Sequence, residues 1–200
     1  MSATAKRKRE TREAILDATD KLLAQYGYSK MTIDDIAAAA GIGKGSVYLH
    51  FPSKVEIALS HVDRIIERLC ERLIAIRDSG KEPETKIREM LFERVSFRFS
   101  SVQHYTEGIN ELLSSIRADL LERRRRHHAE EARLFASVIE EGIEKGVFAK
   151  ADAMETAMSL IVATNSLLPF GLSTAELGLR KEIEDRAKAL SDLLLSGLRA

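Results

Sequence analysis

Apolar residues recur along this chain at spacings of three and four, and strand signals are absent throughout. Ile15, Ala18, Thr19, Leu22, Leu23 and Tyr26 line one face of a first helix that ends at Gly27. Thr32 opens a second, with Asp35 placed for a capping box and Ile33, Ile36, Ala37 and Ala40 facing inward, until Gly41 stops it. A turn of Gly41, Ile42 and Gly43 leads into a very short helix from Lys44 to His50, closed by Pro52, which disfavours helical geometry at Phe51. Ser53-Lys54-Val55-Glu56 repeats the capping pattern and launches a helix to Arg77 that carries Ala58, Val62, Ile65, Ile66, Leu69, Leu73 and Ile76. Further helices are expected from Pro83 through the aromatic cluster Phe92, Phe97 and Phe99, from Ser115 to Lys145, from Asp152 to Leu168 and from Leu179 to Leu198. The stretch from Tyr105 to Asn110 carries no assignable pattern.

The pattern predicts an all-α protein: an N-terminal arm and three-helix helix-turn-helix domain over residues 1–52, then a connecting helix and a larger helical domain over 53–200. The third helix is too short to form alone, so packing must hold it. Val47 and Leu49 are its expected anchors, which leaves Lys44, Gly45, Ser46, Tyr48 and His50 to face outward as a recognition helix would. Taken singly, Tyr48 reads equally as a buried aromatic, His50 as a surface histidine and Lys54 as a solvated lysine.

Charge sharpens this picture. Lys and Arg match Asp and Glu at 31 each, which argues against a protein that coats nucleic acid everywhere. Up to Lys54, however, nine basic residues stand against six acidic ones, and Lys6, Arg7, Lys8, Arg9 and Arg12 crowd a short polar arm suited to phosphate contacts or to plain solubility. One cysteine, Cys70, excludes an intramolecular disulfide framework and reads as a packing residue. No apolar run reaches membrane-spanning length and no signal core follows the arm, so a cytoplasmic protein is expected. No nucleophile elbow, phosphate loop or zinc spacing organises the Ser, His and acidic residues, so neither an enzyme nor a metal or cofactor site is expected. Arg123-Arg124-Arg125-Arg126-His127-His128 reads as a solvated helix face, with an anionic effector near one or two of the arginines as the alternative.

Several blocks agree in order and spacing with one family. Thr11 to Ala18, Tyr26-Gly27-Tyr28, Met31 to Ala37, Ala40-Gly41-Ile42, Gly45 to Phe51 and Ser53-Lys54 together resemble the N-terminal signature of tetracycline-repressor-type (TetR-type) regulators, over about the first quarter of the chain. The resemblance implies that Thr32, Tyr48, His50 and Lys54 hold the DNA backbone, while Lys44, Gly45 and Ser46 begin the recognition helix and meet base edges. Gly43 departs from the small hydroxyl residue often found there, so the usual cap side chain is missing.

For the remainder, the resemblance implies a ligand-binding and dimerising domain. Candidate ligand contacts are Phe92, Phe97, Phe99, His104, Tyr105, Phe135, Met158, Asn165 and Phe170. Candidate seam residues for a homodimer are Ile161, Thr164 and Leu168 on one helix and Ile183, Ala187, Leu190 and Leu194 on the next. The expected function is repression of a palindromic double-stranded DNA operator, released by a small-molecule effector; control by a protein partner or corepressor is the alternative.

Overall fold

The computed structural model describes residues 3–102, 116–168 and 178–200. Among the described residues, eight helices follow in order: α1 (Ala3–Lys30), α2 (Ile33–Ala39), α3 (Lys44–His50), α4 (Lys54–Arg77), α5 (Pro83–Val102), α6 (Arg117–Glu144), α7 (Ala153–Asn165) and α8 (Arg180–Leu198). The β-structure among the described residues is a single antiparallel bridge between Phe148 and Arg199. The chain divides into two compact units, residues up to 64 with 116–121, and residues 65–102 with 122–168 and 178–200.

In the front unit, Ile15, Leu16, Leu23, Met31, Ile36, Val47, Phe51 and Ile57 form a fully enclosed core. Gly27 (φ 73°, ψ 172°) breaks the helical phase of α1, a conformation open to glycine and costly for other residues. That break corrects one expectation: Tyr26 stands exposed, and Tyr28, beyond the break, turns into the core in its place. The basic arm is also corrected, because α1 extends back to Ala3 and carries Lys6, Arg7, Lys8, Arg9 and Arg12 as helical residues. Arg12 lies 4.4 Å from the ring centre of buried Phe51, so one of these cations is anchored within the unit.

Arg64 ties α4 to α1. Its Nη1 donates to Asp17 Oδ1 at 2.6 Å and to Glu13 Oε2 at 3.2 Å, and His61 sits beside it with Nε2 3.4 Å from Asp20 Oδ1.

The rear unit is built on α5, with α7 and α8 packed along it. Leu69, Leu73, Ile87, Met90, Leu91, Phe135, Val138, Ile139, Leu160, Ile161 and Leu195 make its core. A second apolar group joins Val95 and Phe99 to Ile183 and Ala187, with Leu167 and Leu168 against it. Gly142 is demanded by proximity, since a Cβ there would fall 2.1 Å from the Phe148 ring.

Two further expectations are corrected here. Ile161, Thr164, Ile183 and Ala187, picked as seam residues, are buried within the chain's own core, and Leu168, Leu190 and Leu194 are half-buried. Both helices spend these stripes on α5, and Val162 and Leu193 are exposed apolar residues elsewhere on their surfaces. The arginine and histidine run is not a solvated face throughout: Arg125 and Arg126 are exposed, but His127 is buried and Arg124 and His128 are half-buried. Residues 124, 127 or 128, 131 and 135 share one helical stripe, and that stripe turns inward.

Candidate nucleic-acid interface

The site begins at Thr32. Its Oγ accepts from Asp35 N at 3.1 Å while Asp35 Oδ2 accepts from Thr32 N at 2.9 Å, a complete capping box that also holds the Asp35 carboxyl below its ordinary range through these hydrogen bonds. At the other end of α2, Ile42 N donates to Ala37 O (3.0 Å) and Gly41 N to Ala38 O (3.2 Å), the paired bonds of a Schellman turn. Gly41 takes φ +68° to make them. The turn aims the chain into α3, where Gly43 serves as N-cap with no side-chain bond.

The inward face of α3 is narrower than the sequence implied. Val47 is fully buried and Phe51, one turn later, continues its line. Leu49 is 81% exposed, because a residue two positions after Val47 points roughly the opposite way around a helix. The outward face consists of Lys44, Gly45, Tyr48 and Leu49, with Ser46 and His50 half-buried at its margins. A Cβ built on Gly45 meets nothing within 4 Å, so packing within the chain does not require glycine there.

The cations are positioned by neighbours. Lys44 Nζ lies 2.8 Å from Asp34 Oδ2, and that hydrogen bond, then the Asp34 charge, raises the lysine's pKa. Both side chains are well exposed, so water screens the pair and Asp34 is readily exchanged for another acceptor. Lys54 Nζ sits 4.3 Å from the Tyr28 ring centre and 3.4 Å from Ser29 O, which anchors the start of α4 to the end of α1. His50 is pushed below its ordinary pKa by burial first, then by Lys8 and Arg12, which places part of the basic cluster of α1 beside the end of α3.

Sequence reasoning thus named the outward residues other than Leu49, but not the ties beneath them: Lys44 to Asp34, Lys54 to Tyr28, Arg12 to Phe51. The family pattern of the bacterial regulatory proteins, tetR family, matches residues 15–60, which covers α2, the turn, α3 and the flanking parts of α1 and α4. Residues 15–60 are a TetR-family N-terminal domain. Relatives of the chain include the uncharacterized transcriptional regulator YuxN of Bacillus subtilis, 30% identical over 125 residues, or 57% of this chain and 43% of that protein. The transcriptional repressor KstR2 of Mycobacterium tuberculosis is 29% identical over 140 residues, 68% of each chain. This chain therefore spans less than half the length of the Bacillus relative.

Among solved structures, a TetR-family transcriptional regulator of Pectobacterium atrosepticum superposes with a TM-score of 0.76 at 21% identity, over 100% of this chain and 98% of its own, which shows the common fold. A protein solved in work on control of antibiotic production by bacterial hormones is 27% identical, with a TM-score of 0.68 over 96% of this chain and 98% of its own. Residues 15–60 accordingly form a helix-turn-helix of the kind that TetR-family transcriptional regulators carry.

Of the residues nominated for a ligand, Phe135 and Phe99 are buried, Phe92, Phe97 and Met158 are half-buried, and Asn165 accepts from two arginines. Phe92 and Phe97 each carry a cation over the ring, from Lys188 and Arg72. His104, Tyr105 and Phe170 lie outside the described residues. Burial raises the Cys70 thiol to about 11, with Glu131 and other acids adding to it, so the thiol stays protonated. No helix among the described residues is long and apolar enough to cross a membrane.

Proposed function

We propose that the chain is a homodimeric repressor of a palindromic operator, released when a small molecule binds its rear unit. The observation that carries the DNA half is the outward face of α3: a glycine that intramolecular packing does not require, flanked by an exposed lysine and tyrosine on a helix held rigidly by Val47 and Phe51. Gly45 leaves room for a close backbone approach, Lys44 donates to guanine O6 or N7, and Tyr48, Thr32, His50 and Lys54 set register on phosphates. Two copies related by a two-fold axis bring two α3 helices about 34–36 Å apart, onto successive major grooves. Val162 and Leu193, exposed apolar residues on α7 and α8, supply the outer faces for pairing.

Release requires an effector that prefers a different spacing of the two helices, since only differential affinity shifts DNA occupancy. The length of α4, which contributes to both units, suits it to carry that change. The likeness to a protein of hormone-controlled antibiotic production supports a signal-responsive regulator.

Selection of bound fragments from a random double-stranded DNA pool, at near-physiological salt, tests the reading. A palindrome is the expected product, and Gly45→Leu is expected to lower affinity for it by at least about tenfold, one misfit in a close interface being worth about 1–3 kcal/mol. A folded, dimeric protein that enriches no site overturns the proposal.

A further inference from the structure

In the rear unit, two arginines one turn apart on α5, Arg94 and Arg98, lie near one buried carboxylate. Arg94 of α5 is fully buried, and its partner is Glu131 of α6, 1% exposed, with Nε to Oε2 at 2.5 Å. Arg94 also donates through Nη1 to Thr164 Oγ (2.6 Å) and through Nη2 to Asn165 Oδ1 (2.9 Å), at the end of α7. One cation, one anion and two neutral acceptors make a complete set, of the kind in which Coulomb attraction offsets desolvation.

Arg98 follows one turn later on α5. Its Nη1 reaches the same Asn165 Oδ1 at 3.1 Å, so one uncharged amide oxygen serves two guanidiniums. From α6, Arg124 Nε donates to His128 Nε2 at 3.4 Å, which requires the ring to be an acceptor there. Burial, then the charges of Arg94 and Arg124, lowers Arg98 to about 10; burial, with the same arginines, lowers His128 to about 4, although Glu131 pulls the other way in both. Glu131 is the one carboxylate among the described residues that enters the electrostatics of all three groups. Partly buried apolar side chains adjoin the cluster, since Leu167 and Leu168 follow Asn165.

We propose that Arg98, with Arg124 and His128 around the Arg94–Glu131 pair, is a binding site for the oxyanion head of a small amphiphilic anion, a carboxylate or a phosphate monoester, whose apolar part lies against Leu167 and Leu168. Arg94 is the positioning residue, locked by its three acceptors. Arg98 is the recognition residue, because its single described acceptor leaves donors for a ligand in the fork geometry that oxyanions accept. His128, neutral in the free protein, gains a proton more readily once the anion is present. The site rests on the reading of the rear unit as the effector domain and gives that effector a chemical class.

Calorimetric titration of the full chain with octanoate, octyl phosphate and octanol tests it. At least one of the two anions is expected to bind about tenfold or more tighter than the alcohol, the worth of a charge-assisted hydrogen bond. Arg98→Gln is expected to abolish that preference, while Arg125→Gln, on the exposed face of α6, keeps it. The His128 titration, followed by NMR, is expected to move to higher pH on binding. Equal affinity for anions and alcohol, or a preference that survives Arg98→Gln in a protein with an unchanged melt, overturns the site. An anion preference with no enriched operator defeats the repressor reading alone, and an operator without an anion preference defeats this one alone.

Discussion

Each unit buries an arginine against carboxylates, and the two are built to opposite effect. Arg64 in the front unit is served by Glu13 and Asp17, which remain 48% and 60% exposed. Acids outnumber the arginine there, and water screens them. Arg94 in the rear unit is served by one carboxylate that is itself 1% exposed, and arginines outnumber the acid. A guanidinium held by solvated acids works as a clamp, fixing α1 to α4. A sealed pair beside Arg98, whose described acceptor is a neutral amide, leaves a cation for an incoming anion to answer. Burial of a charge therefore says little about its role until the exposure of its partners is known.

The sharpest way to break this comparison is to remove one charge from each side. Glu131→Gln leaves Arg94 with no carboxylate in a site already rich in cations, and is expected to cost about 3–5 kcal/mol of stability. Arg64→Met frees two acids that already face water, and is expected to cost about 1–2 kcal/mol, mostly lost hydrogen bonding and packing. Urea denaturation of both variants decides the matter: equal losses would show that partner exposure does not distinguish the two sites.

A smaller effect comes from His128. Its folded pKa of about 4 lies below the ordinary histidine value of 6.5, so the unfolded chain binds a proton that the folded chain refuses between these values. Its contribution is fully present above pH 6.5 and is lost as pH falls toward 4. The wild-type melting temperature is therefore expected to drop between pH 7 and pH 5 by more than that of His128→Asn. Parallel drops in the two proteins would mean that the ring is not held neutral.

The two regions also differ in how far they can be read without coordinates. Caps and stops are local, and so Thr32 with Asp35, Gly41 and Pro83 place the helix ends correctly. The outward face of α3 was legible except at Leu49, where helical phase overrides hydrophobicity. Arg94 and Glu131 were not legible, because their partnership joins residues 37 positions apart and Thr164 lies 70 from Arg94. A signal existed in Arg94 and Arg98 themselves, four apart inside an otherwise apolar stretch of Phe92, Val95, Phe97 and Phe99. The stripes of α7 and α8 show the converse failure, since an apolar stripe does not reveal whether a second copy or α5 will cover it.

The finest test lies at Gly43, where the front unit departs from the usual hydroxyl cap. The backbone there (φ −75°, ψ 149°) suits any residue, and a Cβ would meet nothing within 4 Å. Ser46 N already donates to Gly43 O at 2.9 Å, so a serine hydroxyl would add an acceptor for the first turn of α3 without displacing the existing bond. Gly43→Ser is expected to stabilise the chain by a few tenths of a kcal/mol, raising the melting temperature by about 1 °C. Because the change is confined to the start of α3, anion binding at Arg98 should be the same in the variant, and only DNA affinity is free to move. A loss of DNA affinity together with the gain in stability would mean that the bare glycine is kept for contact with DNA at the expense of the helix it begins.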